Sequence, residues 1–120
     1  AQFVSSTTSG AEPLEVVSGC VAAAQKLLHE QQRSAHSIEL FEIHEAFAAT
    51  IVKARHTLEI EPDRLNVNGG VIALGHPMGA TGAIMTGTLI DELQRQQLSS
   101  GIVAASGAAG SGSALLLERC

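Results

Sequence analysis

The chain has 120 residues, 45% of them hydrophobic, which is enough for one domain that buries roughly two-thirds of the surface its unfolded form would expose. A net charge of −5, with only seven scattered Lys and Arg residues, excludes a polyanion-binding surface, because affinity for nucleic acid comes from clustered cations on phosphates. Cys20 and Cys120 stand far apart with no CxxC or Cys/His pair at ligand spacing, so neither a zinc site nor a disulfide framework is indicated, and a reducing, cytoplasmic compartment is expected.

No basic-then-apolar leader opens the chain, and its most apolar stretch, Ile102 to Leu117, is broken by Gly and Ser, so no membrane segment is expected. Ala1 leads directly into the strand-like run Phe3-Val4, which suggests one domain over residues 1–120 excised from a longer polypeptide. Gln2 to Ser9 reads as a first strand. From Leu14 to Gln31, Val17, Cys20, Val21, Ala24, Leu27 and Leu28 recur at three- and four-residue steps, predicting a helix with Pro13 in its first turn. Ile38 to Ile43 is a short strand apolar on both sides. Phe47, Ile51, Ala54 and Leu58 then form a helical stripe, with Phe47 on the core side, that ends before Pro62.

Asn66 to Gly70 predicts a short strand entering a glycine-rich loop that runs through Gly75-His76-Pro77-Met78-Gly79. Gly82, Met85, Leu89 and Leu93 share one face of the next helix. Ile102 to Ser106 and Ser113 to Glu118 close the chain as two strands joined by a turn over Gly107 to Gly112; a low-complexity linker is disfavoured because apolar strands flank it closely. The order β-α-β-α-β-α-β-β predicts an α/β fold. Its sheet would be five-stranded and mixed, four parallel strands plus an antiparallel last one, with helices on both faces. Ligands of such sheets sit beyond the carboxyl ends of the strands.

Three groups fall on that edge: Ile43-His44-Glu45, Gly75-His76-Pro77 and Ser106-Gly107. His76 precedes a helix whose free N–H groups and dipole disfavour a positive charge, which makes a neutral imidazole and a usable base. Gly75 and Gly79 remove side chains beside it, so a substrate can approach the backbone. A lone histidine at a strand end is more often a hydrogen-bonded structural residue, and His29, His36 and His56 sit among polar residues as surface side chains. His44, Glu45 and His76 make a poor metal site, since adjacent residues point apart and no third ligand converges, so no metal is expected. Neither Gly75 to Gly82 nor Gly107 to Gly112 contains GxGxxG or a GKS/GKT ending, and Ala104 and Ala105 beside Ser106 do not supply the GxSxG elbow.

His44-Glu45-Ala46-Phe47-Ala48-Ala49, together with Asn66-Val67-Asn68-Gly69-Gly70 running on to Gly75-His76-Pro77-Met78-Gly79-Ala80-Thr81-Gly82, resembles the two sequence blocks of thiolase carboxy-terminal halves. Ser106-Gly107-Ala108-Ala109-Gly110-Ser111-Gly112 lies over the block that in thiolases holds a cysteine followed by glycines. The resemblance covers essentially the whole chain. It implies a half built from a five-stranded sheet with helices, an acyl-CoA or 3-ketoacyl-CoA thioester as substrate with no bound cofactor, and a role in fatty acid metabolism. The partners implied are the amino-terminal half of the same protein, which carries the nucleophilic cysteine, and further copies in a homo-oligomer such as a dimer.

By the same resemblance His76 activates that cysteine and helps hold a thioester carbonyl oxygen. His44, asparagine in other thiolases, serves an oxyanion hole directly or through water. Ala46 and Phe47 match positions lining the pantetheine tunnel. Ser106 stands where the family has the cysteine that moves a proton to and from the acetyl α-carbon, and a hydroxyl is far less acidic than a thiol. Ala108 replaces a glycine whose backbone N–H contributes to the oxyanion site, and alanine keeps that N–H if φ need not be positive. Without the amino-terminal nucleophilic cysteine the isolated chain is expected to be inactive. A non-catalytic thiolase-like protein that binds coenzyme A or serves assembly is the alternative suggested by Ser106. A ketosynthase-like condensing enzyme is a further one, disfavoured by HEAF together with GHPMGATG.

Overall fold

Strand alternation sets the architecture. In the computed structural model, which describes residues 1–15 and 17–120, eight main elements follow the chain. They are β1 (Gln2–Gly10), α1 (Gly19–Glu30), β2 (Leu40–Ile43), α2 (Ala48–Leu58), the single turn α3 (Val71–Leu74), α4 (Thr81–Gln96), β3 (Ser100–Ser106) and β4 (Ser111–Glu118). Successive residues of a strand point to opposite faces, and the apolar residues divide accordingly. Phe41, Ile43, Ile102, Ala104, Ala114 and Leu116 bury against α1 and α2, with Leu27, Ala54 and Leu58. Leu40, Val103 and Leu117 bury on the other side against Met85, Leu89 and Leu93 of α4. Helices thus cover both faces, as predicted.

The sheet has four strands in the order β1-β4-β3-β2, not five. β4 is antiparallel to both β1 and β3, and β2 is parallel to β3, so β1, β2 and β3 run one way and β4 the other. The strand expected at Asn66 reduces to one parallel bridge, Phe41 with Leu65. Asn66 has a left-handed backbone, φ 46°, which cannot continue a strand. Its side chain takes over the ladder, accepting from the Ile43 N–H at 2.7 Å and donating to the Ile43 carbonyl at 2.9 Å.

The helix expected from Leu14 begins later. Pro13–Glu15 is a 3₁₀ turn, Val16 lies outside the described residues, and α1 starts at Gly19. Its start is fixed from elsewhere: the Ser106 hydroxyl, 86 residues away, accepts from the Cys20 N–H at 3.0 Å, satisfying one of the free donors of the first turn. Phe47 is corrected too. It precedes α2 with an extended backbone and is 64% exposed, so it is no part of the core, which α2 meets through Thr50, Ala54 and Leu58. Among the described residues no helix is long and apolar enough to cross a membrane.

Candidate active site

Beyond the end of β2 the His44 N–H continues the ladder to the Ala104 carbonyl at 2.9 Å. Strand alternation then places Leu40, Glu42 and His44 on the α4 side of the sheet. His44 is buried, and neither ring nitrogen has a hydrogen-bond partner. Burial, and then the neighbouring His76, push its pKa down, against a smaller opposite pull from Glu45 and the Ser106 main chain. The His44 imidazole is therefore neutral at neutral pH, with one N–H to donate and one lone pair to accept.

Glu45, the next residue, reaches across to the glycine-rich loop. Its carboxylate accepts from the Ile72 N–H at 3.0 Å and from Asn66 Nδ2 at 3.2 Å. The first of these bonds satisfies a free donor of α3. A Cβ at Gly70 would meet the Glu45 carboxyl, so a larger residue there would have to displace that side chain from its bonds to Ile72 and Asn66. Gly75, with φ 90°, then ends α3 and turns the chain into His76. His76 Nδ1 lies 2.7 Å from the hydroxyl of Thr81, which is only 3% exposed and opens α4. With Nδ1 engaged, Nε2 is the nitrogen left to exchange a proton or hold an oxygen. The two imidazoles meet with ring centroids 4.5 Å apart and planes tilted by 42°.

His44 and His76 thus meet on the rim where the sequence placed them, but only the main chain of Ser106 comes near, not the side chain expected there. The Ser106 hydroxyl does not join the imidazoles. It donates to the Val17 carbonyl at 3.0 Å and accepts from the Cys20 N–H, linking β3 to α1. Ala108 does not have a positive φ; the left-handed residues of the turn are Ala109 and Gly110, so alanine at 108 carries no strain. Ala46 is half-buried and Phe47 exposed beside them. Among the described residues no three His, Cys, Asp or Glu side chains gather as a metal cluster, and Glu45 is committed to Ile72 and Asn66. Asn66, Glu45 and Thr81 are the contributors that sequence reasoning missed; they show in sequence only as polar residues inside two glycine- and alanine-rich blocks.

The family described as "Thiolase, C-terminal domain" matches residues 1–119. The acetyl-CoA acetyltransferase of Rhizobium meliloti is 40% identical over 119 residues, covering 99% of this chain and 30% of that protein. The 3-ketoacyl-CoA thiolase of Colwellia psychrerythraea is 39% identical over 113 residues, covering 92% of this chain and 29% of the relative. A crystal structure of the Bacillus anthracis acetyl-CoA acetyltransferase superposes with a TM-score of 0.93 at 36% identity, covering 98% of this chain and 30% of that one. The chain therefore spans about 30% of the length of these relatives. A sheet rim bearing paired imidazoles on HEAF and GHP segments, together with this coverage, places the chain in the thiolase family as its carboxy-terminal domain.

Proposed function

We propose that the protein carrying this chain is a thiolase-type acyltransferase acting on acyl-CoA or 3-ketoacyl-CoA thioesters. In this reading the chain supplies the acid–base and oxyanion groups, and a cysteine from the amino-terminal part supplies the nucleophile. The observation that carries the proposal is the contact of the His44 and His76 rings at 4.5 Å on the rim where α/β proteins bind ligands. His76 takes the thiol proton as the cysteine attacks the thioester carbonyl and returns a proton to the departing coenzyme A thiolate. The neutral His44 donates its N–H to the oxygen that gains charge, directly or through one water. Exposed Phe47 and half-buried Ala46 border the route for the pantetheine arm, and the Ala108 N–H adds a second oxyanion donor.

Acyl transfer in this scheme uses His44 and His76. Forming or breaking a carbon–carbon bond also needs a group that moves a proton at the α-carbon, and the hydroxyl at that position is held by Val17 and Cys20. That observation favours a second reading, a thiolase-like protein retained for coenzyme A binding or assembly. Replacing Ser106→Cys in the whole protein separates the two. A gain in acetoacetyl-CoA thiolysis of at least about tenfold supports an enzyme weakened at one step, and no gain with coenzyme A binding intact supports the binding role. Turnover of acetoacetyl-CoA by the 120-residue chain alone would overturn the assignment of the nucleophile to a segment outside it.

A further inference from the structure

Glu42 is 4% exposed on β2, two residues before His44 and opposite Val103 of β3. It lines a cavity of about 80 Å³ beneath the loop that carries His76. The other walls include Gly70, Leu74, Gly75 and Pro77 of that loop, and Thr81 and Met85 of α4. Thr81 is the residue that holds His76 Nδ1, so the cavity and the imidazole share a wall. We infer that Glu42 is a positioning residue whose neutral, buried carboxyl keeps residues 69–77 seated over the sheet, and whose ionisation releases that loop and the imidazole on it.

The charges around Glu42 make the neutral form the one that fits. On its own segment His44 is neutral and Glu45 is an acceptor for Ile72 and Asn66. From α4 comes Glu92, buried and held ionised by Arg95 and by hydrogen bonds from Gln96 and Asn68. β3 presents Val103 opposite Glu42. His76, on the loop itself, is tied to Thr81. The only cation in this set, Arg95, is already paired with Glu92. Burial, then Glu45 and Glu92, push the Glu42 carboxyl up to about 7. A carboxylate there must gain water, and the walls are unequal in their resistance. Met85 of α4 belongs to the core with Leu40, Leu89 and Val103, whereas the loop is one helical turn with Ile72, Leu74 and Met78 exposed. The loop is the wall that gives way.

Hydrogen exchange of residues 69–81, followed by mass spectrometry in the whole protein and corrected for intrinsic rates, tests this between about pH 6 and about pH 8.5. Wild type is expected to lose protection roughly fivefold or more across about pH 7, while Glu42→Gln and Glu42→Leu stay protected throughout. Protection in wild type that does not change through that window, or the same loss in either variant that folds by circular dichroism, overturns the inference. The catalytic consequence rests on the thiolase reading: kcat for acyl exchange between acyl-CoA and free coenzyme A falls over the same window more than KM rises, and the fall moves to higher pH in Glu42→Gln. Absence of acyl exchange between acyl-CoA and free coenzyme A at every pH would sink the functional reading alone, because hydrogen exchange at 69–81 still decides the role of Glu42.

Discussion

Asn66→Ala is the sharpest test of how the site is held. The Asn66 amide replaces a missing strand, and removing it frees the N–H and carbonyl of Ile43, a residue 1% exposed. A buried main-chain group left unpaired costs about 1–3 kcal/mol, so the two groups together, after partial relaxation, cost about 3 kcal/mol. Asn66 is also left-handed at φ 46°, where alanine is about 1 kcal/mol worse than asparagine. The expected loss of about 4 kcal/mol is a large part of the 5–15 kcal/mol that typically separates folded from unfolded states. Asn68→Ala is the control: Asn68 is exposed and makes one bond to Glu92 at 3.1 Å, so its loss stays under about 1 kcal/mol. Asn66→Asp keeps the acceptor for the Ile43 N–H and tolerates the backbone. It turns a carboxylate toward the Ile43 carbonyl and Glu45, so it should be nearly as damaging at neutral pH and partly rescued as pH falls toward about 4. Urea unfolding followed by circular dichroism reads all three. If Asn66→Ala falls within about 1 kcal/mol of Asn68→Ala at unchanged m-value, the bracing role assigned to the amide is wrong.

Two further predictions concern protonation and backbone. The pKa of His44 lies below its ordinary 6.5 in the fold, so beneath that pH the unfolded chain binds a proton that the native ring refuses. Stability is therefore fully present above about pH 6.5 and falls as pH drops toward the native value. Glu42 works in the opposite sense, lowering stability as pH rises from 4.5 to about 7, so the His44 effect is isolated by comparing wild type with His44→Gln at the same two pH values. Equal acid sensitivity in the two proteins would contradict the assignment. Gln97→Gly should raise Tm by roughly 4 °C: Gln97 follows α4 in a left-handed conformation, φ 58°, where glycine removes about 1 kcal/mol of strain. An unchanged or lower Tm would show that the cap is not strained.

The elements legible in the sequence are those whose burial is periodic. Leu115, Leu116 and Leu117 alternate between the two faces of β4, and Met85, Leu89 and Leu93 line α4, because in both cases a nearest-neighbour pattern decides the outcome. The misread elements are set by distant contacts. Asn66 looks like part of a strand until its side chain is seen replacing one, and α1 starts where the Ser106 hydroxyl meets it rather than at Pro13. Phe47 fits a helical stripe, yet it sits before the helix on extended backbone and faces outward. Within the site, His44 was legible from its position at a strand end, His76 from its glycine-flanked loop ahead of a helix, and both from the blocks that contain them. Glu45 was not, since its partner Ile72 is 27 residues away and nothing local marks the pair.

Position 106 faces two competing demands. The thiolase-type reading asks for an acid–base group there. A serine does a different task well: its short hydroxyl donates to Val17 and accepts from Cys20 at 3.0 Å each, closing the end of β3 onto the start of α1. A thiol is a weaker partner for both bonds, with longer contacts, so Ser106→Cys would loosen that junction while restoring acidity. The imidazoles are braced independently, through Glu45, Asn66 and Thr81. Under the proposed function, acyl transfer and carbon–carbon chemistry therefore rest largely on different side chains of this domain, and a substitution at 106 acts first on the second.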